Sequence, residues 1–299
     1  MDKGGASARR WESHGKLFEE YLHGLTFSNE KLLAGLVDAM RYSMLAGGKR
    51  VRPTLCMECA WVFGAAPELS LPSAAAIELI HTYSLIHDDL PAMDDDDYRR
   101  GQPTTHKKYG EAMAILAGDA FFGEALTLIT VHQKGTCEQV VEVVRELADS
   151  TGVAGMVGGQ VMDMDHTGVG AQTDPETLFM IHKYKTGALI KSSARIGAII
   201  AGAGDIEQTA ISEYASELGL CFQIVDDVLN ATATTAELGK SAGSDAEQGK
   251  ATFVRVFGLE GARQEADDSV ERALAALGRL DGDTSGLREM ALFVRHRGS

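Results

Sequence analysis

The second half of this 299-residue chain is free of proline: all six prolines lie at or before Pro175, and the 124 positions that follow contain none. Proline removes an amide donor and breaks helix interiors, so its absence permits long helices throughout that stretch. Apolar residues recur at three- and four-residue spacing over 30–45, 137–150 and 213–229, which is the period of an amphipathic helix. Clean period-two alternation bounded by hairpin turns is absent, so no strands are expected. The reading is an all-α chain, one domain over residues 1–299, in which residues 1–30 form the least defined, N-terminal helix region.

Helix boundaries are also legible. Gly47-Gly48 stops a helix ending near Leu45, and Pro53 suits the first turn of the next. Pro67 and Pro72 bracket a loop, and the stretch from Ser73 to about Leu90 reads as a helix interrupted at Pro91. The glycine-rich stretch from Gly152 to Gly170 breaks the middle of the chain without dividing domains, and no long internal repeat is evident.

Composition narrows the function. Forty-three acidic against 28 basic residues give a formal charge of −15, the wrong sign for a nucleic-acid binder, whose affinity comes from neutralising phosphates. An anionic small substrate would need local cations or a bridging metal. No apolar run approaching the ~20 residues of a membrane span is apparent, and the polar N-terminus lacks a signal-peptide core, so a cytoplasmic protein is expected. Cys56 and Cys59 form a C-x-x-C but Cys137 and Cys221 stand alone, so no zinc set is read and all are expected to be buried helix thiols.

The strongest local feature is HTYSLIHDDLPAMDDDDYRRG, with six aspartates between Asp88 and Asp97. A helix ending before Pro91 places Asp88 and Asp89 at the negative end of the macrodipole, where carboxylates call for a cation. Hard divalent ions take oxygen ligands, and Mg²⁺ in particular shares one or two carboxylates with substrate phosphates. An isolated acidic run is more often a solvated loop. A second pair, Asp226-Asp227, lies in the apolar segment LCFQIVDDVLN, where unpaired carboxylates are costly. Together the two suggest facing walls of one cavity in a helical bundle.

Cations accompany them. GGKRVRP supplies Lys49 and Arg52, Arg99-Arg100 follow the first acidic cluster, KYKTG supplies Lys185 and Thr186, and Lys240 and Lys250 lie in ELGK and GKAT. Lysine and arginine beside glycine-permitted backbone suit diphosphate binding. His81 precedes Asp88 by seven residues, about two turns away on the same helix face.

GGKRVRP, the long aspartate segment, LAGD, GGQVMD, KYKTG, FQIVDD and ELGK, in that order, make the chain resemble a bacterial trans-prenyl diphosphate synthase, nearest to the farnesyl diphosphate synthase group. The resemblance runs from about Leu33 to Phe257 and is weaker towards the C-terminus. It implies an isoprenoid-synthase helical bundle around a central cavity, acting as a homodimer. It also implies condensation of isopentenyl diphosphate with allylic diphosphates (dimethylallyl, geranyl). By resemblance, Asp88 and Asp94, supported by Asp89, would hold two Mg²⁺ ions, and Asp226 a third. Lys49, Arg52, His81 and Arg100 match isopentenyl diphosphate positions. Arg99, Lys185, Lys240 and Lys250 match allylic diphosphate contacts, and Thr186 and Gln223 match groups facing the carbocation.

The second acidic motif departs from the family pattern: Asn230, Ala233 and Thr234 stand where a further Asp and a Thr-Gly-Asp turn are usual. An amide oxygen coordinates but brings no charge, so a weaker third metal site is expected. A terpene cyclase would need only one diphosphate site, and GGKRVRP with His81 argues for a second. A catalytically impaired partner subunit is the non-enzyme alternative, motivated by Asn230. Tyr83 and Ser84, about one turn before Asp88, are the expected determinants of product length. In the resembled family an aromatic there, with the two extra residues between Asp89 and Asp94, goes with a farnesyl product, and geranylgeranyl is the alternative.

Overall fold

The computed structural model describes residues 3–168, 173–232 and 249–297. Helix α1 (Lys3–Gly24) and a 3-10 turn (Lys31–Leu33) lead into α2 (Ala34–Met44), α3 (Val51–Val62) and α4 (Leu71–Asp88). A small hairpin, β1 (Tyr98–Arg99) and β2 (Gln102–Pro103), precedes α5 (Thr105–Tyr109) and α6 (Glu111–Thr127), which runs on into a π turn (Leu128–His132). Then come α7 (Cys137–Thr151), α8 (Met156–Asp165), α9 (Pro175–His182), a second π turn (Lys183–Gly187) and α10 (Ala188–Ile200). The long α11 (Asp205–Thr232), α12 (Phe253–Leu277) and α13 (Ser285–His296) complete the helical bundle.

Four local expectations are corrected. The hairpin pairs Tyr98 with Pro103 and Arg99 with Gln102, strands too short to leave an alternation in the sequence. Its turn carries positive φ at both Arg100 and Gly101 (53° and 75°), the geometry tight hairpins require. The stretch between Pro67 and Pro72 is a 3-10 turn (Pro67–Ser70), with Pro72 inside the first turn of α4 where its missing N–H costs nothing. The glycine-rich middle contains α8, a helix in its own right. Cys56, Cys59 and Cys221 are buried as expected, but Cys137 is exposed at the start of α7.

Helix α10 is the central post. It packs on α3, α7 and α11, and its opposite faces feed two adjoining cores. Leu189, Ile196 and Ile199 join the cluster built on α4 and α6, with Leu79, Ile80 and Phe121. Ile190, Ala194 and Ala198 join the cluster of α11, α12 and α13, with Tyr214, Leu218 and Leu287. Gly197 makes the α3 contact possible, because a Cβ there would strike the Cys56 carbonyl.

One helix among the described residues, Glu111–His132, is long and apolar enough to cross a membrane, against the sequence expectation. It packs on α4 and buries Ala114, Ala117, Phe121 and Ala125 in the core, while Ile115, Leu116 and Phe122 remain exposed.

Candidate active site

The end of α4, the hairpin and α11 surround a cavity of about 730 Å³. Of the residues singled out in the sequence, Arg52, His81, Tyr83, Ser84, Asp88, Arg99, Arg100, Lys185, Thr186, Gln223 and Asp226 line it. Its apolar wall comes from Ile115 and from the α8 face carrying Met156, Val157, Val161 and Met164. Lys49, Asp89, Asp94 and Lys250 are not part of the lining. Lys240, Ala233 and Thr234 lie outside the described residues.

Helix α4 delivers the first acidic group. Its last residue is Asp88, two positions before the expected end, and the Asp94 N–H closes the following turn on the Asp88 carbonyl at 2.8 Å. Among the described residues no side chain hydrogen-bonds or ion-pairs with the Asp88 carboxylate. Burial raises its pKa to about 6, an effect that Lys185 partly opposes. Asp94 is paired with Lys250 at 3.2 Å. Asp89 turns away: buried, it receives Arg99 at 2.6–2.7 Å, which also draws Arg99 into the cavity wall.

A cationic corner occupies another part of the cavity. Arg52 Nη1 lies 3.4 Å from His81 Nε2, and its own Nε is buried without a hydrogen-bond partner. Burial lowers the Arg52 pKa to about 10, partly opposed by Glu78 and Asp226. His81 is held well below the ordinary histidine value by burial and then by Arg52 and Arg100, so it is neutral. Arg100 donates to the Gly47 carbonyl, and its guanidinium lies where a Cβ on Gly48 would be. Both glycines before Lys49 have positive φ, 84° at Gly47 and 143° at Gly48, which favours glycine at each. Lys49 is lowered by burial and by Arg297, with Asp226 opposing. Arg50, between them in sequence, has a structural part: buried at φ 44°, it binds Glu19, Glu78 and the Met44 carbonyl at 2.6–2.8 Å.

Lys185 and Thr186 sit in the π turn between α9 and α10, a distortion often found at functional sites. Gly159 explains the GGQVMD motif: a Cβ there would overlap the Lys185 backbone, so only glycine lets α8 approach. The approach brings Asp163 to 2.5 Å from Lys185 Nζ. Sequence reasoning missed Asp163, although it lies in a motif that was noticed. It also missed Arg297, which donates to the Phe222 carbonyl at 2.5 Å and to Asp226 at 2.6 Å, with its guanidinium 3.6 Å above the Phe222 ring. No local signal marks that residue, because the contact is purely tertiary.

Asp88 and Asp226 bring carboxylate oxygens to the cavity, a donor type that suits a hard ion such as Mg²⁺. Asp88, half-buried and without a side-chain partner among the described residues, is the group that gains most from one. Three side-chain donors that approach within 4.8 Å of one another occur elsewhere, at Asp95, Asp97 and His106.

Cations and carboxylates converging on one cavity with an apolar wall suit a helical enzyme that handles diphosphates of apolar chains. The family model described as polyprenyl synthetase matches residues 34–283, and the chain belongs to that family. It is 43% identical over 268 residues to farnesyl diphosphate synthase of Escherichia coli, covering 88% of this chain and 89% of the relative. It is 42% identical over 291 residues to chloroplastic geranylgeranyl pyrophosphate synthase of Catharanthus roseus, covering 94% and 81%. The solved geranyltransferase of Helicobacter pylori, complexed with magnesium and isoprenyl diphosphate, superposes with a TM-score of 0.85 at 30% identity over 96% of each chain. The protein is a trans-prenyl diphosphate synthase of isoprenoid-synthase fold, in a Mg²⁺-dependent family.

Proposed function

We propose that the chain condenses isopentenyl diphosphate with dimethylallyl and then geranyl diphosphate to give farnesyl diphosphate, in one domain over residues 1–299. The observation that carries this reading is the division of one cavity into a cationic corner and an acidic rim. Two anions meeting in one pocket need separate charge environments, which a single-diphosphate cyclase does not. Lys49, Arg52 and Arg100, with neutral His81, suit the isopentenyl diphosphate. Arg99, Lys185, Lys250 and Lys240 suit the allylic one.

Mg²⁺ held by Asp88, Asp94 and Asp226, three ions in all, would neutralise the departing diphosphate. In the chemical step the allylic C–O bond breaks, its electron pair leaving with the diphosphate. The ammonium of Lys185, presented by the π turn and held by Asp163, counters the charge that builds there. The side-chain oxygens of Thr186 and Gln223 face the cation left behind, and the apolar α8 wall keeps water from it. The isopentenyl double bond then attacks the cationic carbon, and proton loss to the released diphosphate restores an alkene.

Tyr83 marks the cavity floor. It lines the cavity, and its ring packs edge-on against His87 at 5.4 Å. An aromatic floor one turn below Asp88 favours the fifteen-carbon product over geranylgeranyl diphosphate. The exposed apolar side of α6, with Leu116 54% and Phe122 41% accessible, fits a homodimer interface. Incubating purified protein with Mg²⁺, labelled isopentenyl diphosphate and dimethylallyl diphosphate tests the reading. Label in a fifteen-carbon alcohol after dephosphorylation supports it, whereas no incorporation favours the impaired-subunit alternative.

A further inference from the structure

His182 closes α9, immediately before the π turn. Its ring is 7% exposed and stacks on Phe253 with centroids 5.1 Å apart. One edge meets the catalytic cavity only indirectly: Nδ1 lies 3.1 Å from Nε2 of Gln223, which does line the cavity. The other edge faces a carboxylate: Nε2, buried without a hydrogen-bond partner, lies 3.7 Å from Asp227 Oδ2, close enough for electrostatic attraction but not for a hydrogen bond. That oxygen is itself fixed by the Phe253 N–H at 2.7 Å.

Proton placement follows from these contacts. Burial holds the His182 pKa at about 4, so the ring is neutral and carries a single N–H. The Asp227 carboxylate favours that proton on Nε2, which leaves Nδ1 as an acceptor. Only the NH₂ end of the Gln223 carboxamide can satisfy an acceptor. The carboxamide oxygen is then turned to the opposite side, into the cavity. The alternative flip would aim N–H dipoles at a developing cation and leave two acceptors in contact.

We propose that His182 is a positioning residue that locks the Gln223 amide with its oxygen towards the allylic cation; this rests on the reading that Gln223 faces that cation. Hydrogen bonds at the two ends, Phe253 to Asp227 and Gln223 to His182, with the Asp227 charge facing His182 Nε2 between them, favour one of two orientations of the Gln223 dipole.

A double-mutant cycle tests it, with kcat and both KM values measured on folded protein verified by circular dichroism. His182→Phe keeps a ring to stack on Phe253 but removes the acceptor. It is expected to lower kcat by about tenfold or more while both KM values stay within about twofold. Gln223→Leu is expected to do the same, and the double variant to be no slower than Gln223→Leu alone. His182→Asn, whose side-chain oxygen can replace Nδ1, is expected to recover most of the lost kcat. Should His182→Phe fail to fold, Asp227→Asn replaces it in the same cycle. If kcat falls for Gln223→Leu but not for the His182 or Asp227 variant, or if the losses multiply, the positioning role is overturned. Wild-type kcat in Gln223→Leu instead overturns the underlying reading of Gln223, and the inference with it.

Discussion

Tyr83→Ala removes the phenol from the cavity floor, and its consequence can be worked out from the position of α4. Tyr83 lies five residues before Asp88, so it stands ~7.5 Å below Asp88 along the helix axis at a 1.5 Å rise per residue. A tail anchored by its diphosphate at the rim must pass that level to add a fourth isoprene unit. With the phenol present, forcing the unit in costs about 1–3 kcal/mol of overpacking. With the phenol gone, about four methylene equivalents of new burial contribute roughly 3 kcal/mol at ~0.8 kcal/mol each. The sum exceeds 2.8 kcal/mol, so the ratio of products longer than farnesyl to farnesyl should rise by on the order of 10²-fold or more. Part of the ring faces the cavity, so the stability cost stays below the ~3–5 kcal/mol of a fully buried aromatic. Ser84→Phe should act oppositely, blocking the cavity and favouring geranyl diphosphate. Chromatography of dephosphorylated products reads both, and unchanged chain length at comparable rates in both variants would refute the floor.

Asp88→Asn should leave the fold intact yet lower turnover by orders of magnitude, and in metal-free protein it should stabilise. A carboxyl raised from 3.8 to about 6 binds more protons folded than unfolded, so wild-type stability falls as pH rises from about 4 to about 6. Denaturant titration in EDTA should therefore favour the variant by up to about 3 kcal/mol at pH 8, and by almost nothing below pH 4. Equal stability at pH 8 would contradict the burial argument. Gly159→Ala puts a Cβ into the Lys185 backbone and should cost about 1–3 kcal/mol, together with a higher KM for geranyl diphosphate. Wild-type melting and kinetics would show that α8 tolerates retreat. Asn230→Asp, at a buried position four residues after Asp226, should tighten the apparent Mg²⁺ dependence or raise activity, and no change in either places Asn230 outside the metal shell.

Much of this was legible because the relevant signals are local. Proline distribution and apolar spacing set the helices, and Pro91 ended α4 within two residues of its observed end. The charged residues of the cavity lining were found through motif order, since about one and a half turns of α4 carry Tyr83, Ser84 and Asp88 together whatever surrounds them. What escaped depends on tertiary contacts. Asp89 reads like its neighbour Asp88 until the hairpin swings Arg99 onto it. Arg50 sits between Lys49 and Arg52, and its left-handed backbone accompanies its turn into the core. Asp163 and Arg297 acquire meaning from partners 22 and 71 residues away. The apolar run on α6 was missed in sequence, where Glu111, Asp119 and Glu124 interrupt it.

The division of the cavity into two diphosphate sites is tested most directly by substrate-resolved kinetics of Arg52→Met. The substitution keeps the side-chain bulk and removes a charge beside His81 in the cationic corner. Loss of a charge-assisted hydrogen bond of about 1.5–3 kcal/mol should raise KM for isopentenyl diphosphate by roughly 10- to 100-fold. KM for geranyl diphosphate should stay within about twofold, because the allylic site relies on other cations. Equal increases for both substrates, or an increase confined to geranyl diphosphate, would contradict the two-site account.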